Sequence, residues 1–295
     1  MSEISHVGVL GCGLMGSGIA QAAATAGFPT VVRDIEAGLL ARGQGAIRKS
    51  LDKLVEKAKL DPAAREAALE RLTFTTELAD LAHCDLIVEA VTEDLGLKIE
   101  LWRALDPNCP PATIFASNTS SLSIGDMAAA TRRPERFIGL HFFNPVPLMP
   151  LVEVVRAVTT SPDVVERVVT FARRLGKEPI AARDRSGFVV NRLLVPYLLD
   201  AVRALEQGVA TAADIDRGMQ LGCGHPMGPL ALLDFVGLDT VVRIAEIMFD
   251  EYREPRLAPP PLLRRMVTAG LHGRKSGRGF YDYASDPPHP IDLGL

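Results

Sequence analysis

Three glycines fall inside six residues in Gly11-Cys12-Gly13-Leu14-Met15-Gly16, after the apolar run 4–10 and before the small-residue stretch 14–26. Glycine at the first position permits a tight turn, at the second lets another group approach the backbone, and at the third lets a helix close onto a strand. The N–H groups that open such a helix lack intrahelical partners, which suits a pyrophosphate. Asp34 lies eighteen residues after Gly16, at the end of a second apolar run, 30–34. A carboxylate there can accept hydrogen bonds from an adenosine ribose and repels a 2′-phosphate, so the pattern reads as a site for NAD rather than NADP. Arg33 is adjacent, but its side chain falls on the opposite face of the strand. The alternative, a tight turn with no ligand, is disfavoured by the complete strand, turn, helix and strand around the motif.

Three polar clusters follow in apolar surroundings: Ser117-Asn118-Thr119-Ser120-Ser121, His141-Phe142-Phe143-Asn144-Pro145, and Glu153 within 151–155. Histidine titrates near neutral pH, so it can take a proton from a hydroxyl while hydride leaves the adjoining carbon. A carboxylate in a core strand needs a partner, because burying it unpaired is very costly. Taken alone, His141 reads first as a core histidine satisfied by backbone, and Ser120 as a turn or helix-cap residue. Asn191, about five residues after Ser186, reads as a cap or an interface residue.

These residues must be held by a framework, and the first 185 residues read as alternating strands and helices. Runs 4–10 and 30–34 flank a helix over 14–26, one βαβ unit. A charged helix follows over 37–60, and Pro62 opens another that runs to 72. Segments 85–91, 113–117 and 137–142 are short β-branched or aromatic strands, and 151–155 is a further core strand. Such alternation implies a mainly parallel sheet covered on both faces. After Ser186, a plausible N-cap by residue type, one long helix runs over 187–208. Helices broken by Gly222, Gly224, Pro226, Gly228, Pro229, Pro255 and the prolines of 259–261 come next. The expected fold is α/β: a Rossmann-type mainly parallel sheet over 1–185, then a smaller all-α domain over 186–295. The tail from Ser285, with three prolines, is expected to lack regular structure.

The 295 residues suffice for about two domains, and 47% hydrophobic with 23% charged residues is an ordinary globular composition. From Val7 to Val32 there are 26 residues without a charge. That length would span a bilayer, but six glycines and Pro29 argue against a membrane helix, and Glu3 and His6 leave no basic start for a secretory signal. A net charge of −4 and only 16 aromatics give no reason to expect nucleic acid or an anionic membrane as partner. Cys12, Cys84, Cys109 and Cys223 are far apart and the six histidines are scattered, so neither a metal site nor a disulfide framework is expected. Free thiols point to a reducing cytoplasm, and Cys12 reads as a small filler in the glycine loop.

The segments GCGLMGSGIAQ, SNTSSLSI, GLHFFNPVPLMPLVEVV, SGFVVNRLLVPYL, GCGHPMGPLALLDFVGLD and GRKSGRGFY occur in that order over nearly the whole chain, 7–281. They closely resemble the L-3-hydroxyacyl-CoA dehydrogenase family, including the bacterial 3-hydroxybutyryl-CoA dehydrogenases. The resemblance implies NAD-dependent oxidation of a short-chain (S)-3-hydroxyacyl-CoA to the 3-oxoacyl-CoA, and the reverse. It implies that His141 is the base, that Glu153 orients it, and that Ser120 and Asn191 lie beside the substrate oxygen. It adds Glu93, Lys98, Ser120, Asn144 and Lys275 to the cofactor contacts at Gly11, Gly13, Leu14, Met15, Gly16 and Asp34. On the coenzyme A side it places Ser50, Lys53 and Lys57, the two lysines four apart and so on one helix face; a merely solvated face is the alternative. Asp94 stands where the family commonly has asparagine after the acid, which leaves the contacts around Glu93 open. A homodimer through the second domain is expected, since that domain is too short and glycine-broken to bury its helices alone. Two competing readings are a dehydrogenase of a free hydroxy acid or sugar acid, and a nucleotide-sensing or structural protein without chemistry. The CoA-side lysines argue against the first, and the joint presence of Ser120, His141, Glu153 and Asn191 against the second.

Overall fold

Apolar runs without polar alternation make strands that must be covered on both faces. The computed structural model, which describes residues 3–294, arranges them so. β1 (Val7–Leu10) is buried throughout and is followed by α1 (Leu14–Thr25), β2 (Thr30–Arg33), α2 (Ala37–Glu56), α3 (Pro62–Glu70) and β3 (Leu72–Thr75). Next come β4 (Leu86–Glu89), α4 (Leu95–Leu105), β5 (Ile114–Ser117), α5 (Ile124–Ala129) and β6 (Phe137–Phe142). β7 (Leu151–Arg156), α6 (Pro162–Arg174) and β8 (Glu178–Arg183) complete the first unit, which ends at Arg185. The eight strands form one sheet in the order β3-β2-β1-β4-β5-β6-β7-β8. Every neighbouring pair is parallel except β6 with β7. The strand order reverses at β1, so the loops after β1 and β4 open together at the carboxyl edge, where ligands of such sheets bind. The small residues of α1 let it lie close on the sheet, while Trp102 of α4 packs against Phe115 and Phe137, with ring centroids 4.8 and 5.0 Å away.

Several boundaries differ from those read in the sequence. α2 stops at Glu56, because Ala58 takes φ 52°, and Lys57 is therefore the helix cap and not a helical residue. The helix opened by Pro62 stops at Glu70, and the β-branched Thr73 and Thr75 carry the edge strand β3 instead. β8 is also an edge strand; its proline and charges blurred the pattern, yet both are tolerated at an edge.

The second unit begins at Ser186 and is built on α7 (Val190–Glu206), α8 (Ala212–Cys223), α9 (Pro229–Val236), α10 (Leu238–Tyr252) and α11 (Pro261–Thr268). Leu199, Val202, Leu230, Leu233, Leu263 and Phe280 lie in its core. α7 starts later than residue 187, since Gly187 and Phe188 have φ of 82° and 45°. Ser186 does not cap it; its hydroxyl donates to the Glu251 carboxylate. Asp216 accepts from the amides of Leu230 and Ala231 at the start of α9, and Asp234 accepts from those of Phe280 and Tyr281. The tail is not wholly irregular: β9 (Tyr281–Asp282) pairs antiparallel with β10 (His289–Pro290). Among the described residues no helix is long and apolar enough to cross a membrane; residues 7–32 are β1, the glycine loop, α1 and β2.

Candidate active site

The glycine loop shows which of its glycines serve the protein and which leaves room. A Cβ on Gly11, whose φ is 94°, would sit 2.7 Å from the carbonyl oxygen of Ala90, and one on Gly16 would sit 1.9 Å from that of Gly11. Both positions are closed by the protein's own backbone. At Gly13 nothing lies within 4 Å of the added carbon, so the open space there fits a pyrophosphate. Gly13 is also the N-cap of α1, with no side-chain cap and no acid in the first turn, as an anion site requires. Leu14 and Met15 are the first two residues of that helix. Asp34 is pinned to this loop: Oδ2 accepts from the Cys12 amide at 2.6 Å and Oδ1 from the Ile35 amide at 2.7 Å. A carboxylate oxygen has two lone pairs, so each can still accept a ribose hydroxyl. Arg33 is turned to the Thr76 carbonyl, 3.0 Å from its Nε. Burial, and then Asp34, push the Cys12 thiol up to about 11.

A second group hangs from the loop after β4. Asp94 is the N-cap of α4, its Oδ1 accepting from the Leu97 amide at 2.8 Å; aspartate and asparagine serve equally well there. Glu93 is therefore released from capping. Its Oε1 accepts from the Thr119 hydroxyl at 2.5 Å and from the Ser120 amide at 3.0 Å, while Oε2 is 3.2 Å from Lys98 Nζ. Burial alone would raise the Glu93 carboxyl, but the Lys98 ammonium and the Thr119 hydroxyl outweigh it and hold the group below the usual carboxylate range. Lys98 is almost wholly buried, and its ammonium is 2.6 Å from Oε1 of Glu89. Sequence reasoning missed Glu89, although a carboxylate inside an apolar run, here 86–91, is the same signal that singled out Glu153.

The third group is formed by β6 and β7. His141 and Glu153 are directly opposed in the antiparallel register, so their side chains share one face. His141 Nδ1 lies 2.6 Å from Glu153 Oε2, with the histidine 6% and the glutamate 0% exposed. The contact turns Nε2 away from the carboxylate. Asn118 ties the second group to the third, because its Oδ1 accepts from the Phe142 amide at 2.9 Å. Asn144 lies three residues past His141 in an exposed loop, and buried Lys177 steadies that loop by donating to the carbonyls of Val146 (2.6 Å) and Met149 (2.8 Å).

The first unit thus joins Glu93, Lys98 and Ser120 with His141 and Glu153. Ser50, on the last turns of α2, is half-buried, and Lys53 and Lys57 are exposed; the Lys57 amide still donates to the Lys53 carbonyl at 3.2 Å. Asn191 and Lys275 belong to the helical unit. Asn191 is the second residue of α7, and Lys275 Nζ is 2.5 Å from Oδ1 of Asp239.

A loop shaped for a dinucleotide and, three strands along the same sheet, a buried histidine–carboxylate pair describe a nicotinamide-dependent dehydrogenase. Comparison with known proteins makes the class specific. Residues 6–185 match the family model for the 3-hydroxyacyl-CoA dehydrogenase NAD binding domain, and residues 187–283 that for its C-terminal domain. A 3-hydroxybutyryl-CoA dehydrogenase of Mycobacterium tuberculosis is 51% identical over 282 residues, 95% of this chain and 99% of that one. The mitochondrial hydroxyacyl-coenzyme A dehydrogenase of Sus scrofa is 46% identical over 287 residues, 95% and 91% of the two chains. The crystal structure of M. tuberculosis FadB2 matches with a TM-score of 0.94 at 51% identity, covering 96% of this chain and all of that one. The chain belongs to the 3-hydroxyacyl-CoA dehydrogenase family, and its cofactor is NAD.

Proposed function

We propose that the protein oxidises short-chain (S)-3-hydroxyacyl-CoA to the 3-oxoacyl-CoA, and catalyses the reverse, with His141 as the acid–base group. The observation that carries this reading is the buried contact of 2.6 Å between His141 Nδ1 and Glu153 Oε2 in a chain of this family. NAD, when bound, supplies the hydride acceptor. Gly11, Gly13, Leu14, Met15 and Gly16 hold its pyrophosphate, Asp34 its adenosine ribose, and Glu93, Lys98, Ser120, Asn144 and Lys275 the remainder. His141 Nε2 takes the proton of the substrate hydroxyl, and Glu153 stabilises the imidazolium that forms and keeps the ring in one orientation. In the reverse direction the same nitrogen returns the proton. Ser120 and Asn191 hold the reacting oxygen, and Ser50, Lys53 and Lys57 receive coenzyme A. The enzyme works in the cytoplasm as a homodimer formed through the helical unit. The direct test is the decay of NADH absorbance with acetoacetyl-CoA. Turnover is expected, and its absence with active cofactor and fresh thioester would end this reading.

A further inference from the structure

Glu89 closes β4, in register with Leu10 of β1 and Ser117 of β5, and has no exposure to solvent. A lone carboxylate in such a place would be strongly disfavoured. This one is fully engaged: Oε1 accepts from Lys98 Nζ at 2.6 Å and from the Val91 amide at 2.7 Å, and Oε2 from the Ser117 hydroxyl at 2.6 Å. Lys98 reaches on to Oε2 of Glu93, whose other oxygen takes the Thr119 hydroxyl and the Ser120 amide. An unbroken set of contacts therefore runs from the carboxyl end of β4 to the loop that presents Ser120. A buried ion pair adds little net stability over apolar residues of the same shape. What it does supply is a fixed direction for each of its members.

We infer that Glu89 is a positioning residue: by holding Lys98 and Ser117 it presets Glu93 and the Ser120 loop before any ligand arrives. Its catalytic relevance rests on the reading above that Glu93, Lys98 and Ser120 face cofactor and substrate; the presetting itself does not. The test is hydrogen exchange of the ligand-free chain, followed by mass spectrometry on peptides covering 117–122, in Glu89→Gln and in Asp106→Asn. Asp106 pairs with Arg133 at 2.6 Å in the same unit and is similarly buried, so the second variant breaks a buried pair away from the network. Exchange over 117–122 is expected to be about tenfold faster in Glu89→Gln and unchanged in Asp106→Asn. The dissociation constant for NADH should rise about tenfold in the first variant alone. Equal acceleration in both variants, or none in Glu89→Gln, overturns the inference. If Glu89→Gln does not fold, Glu89→Asp keeps the charge beside Lys98 but shortens the reach to Lys98 and Ser117, and the same acceleration is expected of it. A wild-type chain that binds no NADH would sink the dehydrogenase reading, while the exchange result would still decide the role of Glu89.

Discussion

His141 and Glu153 show how two residues twelve apart in sequence become one chemical unit. Neither is unusual by type. The antiparallel turn-back between β6 and β7 sets them opposite each other, and burial removes the water that would otherwise compete for the imidazole. If the carboxylate stabilises the imidazolium, Glu153→Gln keeps the shape and loses the charge. It should lower kcat roughly a hundredfold or more while KM for acetoacetyl-CoA changes little. Steady-state kinetics with NADH decide this, and a raised KM at an unchanged kcat would contradict it. Glu153 was legible in the sequence because a carboxylate in an apolar strand demands a partner. That the partner is His141 was implied only by the family resemblance and not by the residues alone, since strand register depends on the whole hairpin. Glu89 poses the same demand at the end of β4, and its answer, Lys98 with Ser117, is spread over a helix and a neighbouring strand.

The glycine loop makes an element-level argument that can be tested with two near-identical substitutions. Gly16→Ala places a methyl 1.9 Å from a backbone oxygen, whereas Gly13→Ala places one in open space. Gly16→Ala should therefore lower Tm by several degrees, since about 2–4 °C accompanies each kcal/mol for a chain of roughly this size. Gly13→Ala should melt with the wild type and yet weaken NADH binding about tenfold or more. Fluorescence titration alongside thermal melts separates the two, and a Gly13→Ala that binds NADH normally would remove the pyrophosphate from this loop. The first strand, loop and helix were readable because apolar period, glycine spacing and turn chemistry agree there. β3 and β8 were not, being short edge strands whose polar residues resemble loop. The start of α7 was misread because two left-handed residues, one of them Phe188, delay the helix by several positions.

At the scale of the molecule, each unit has its own core, one around the sheet and one among the helices. The helical unit exposes Leu193, Leu221 and Phe235, apolar surface of the kind that association covers. The homodimer proposed above should sediment at about twice the 31.7 kDa of one chain at micromolar concentration; a monomer under those conditions would exclude it. The distribution of thiols has a practical side. Cys12, Cys84 and Cys109 are buried, and burial pushes them up to about 11, 12 and 11, so at neutral pH they are protonated as well as shielded. Cys223, at the end of α8, is exposed. The natural chain therefore carries one addressable anchor for a maleimide fluorophore, set on the helical unit, so assembly could be followed by energy transfer between chains without engineering a single residue.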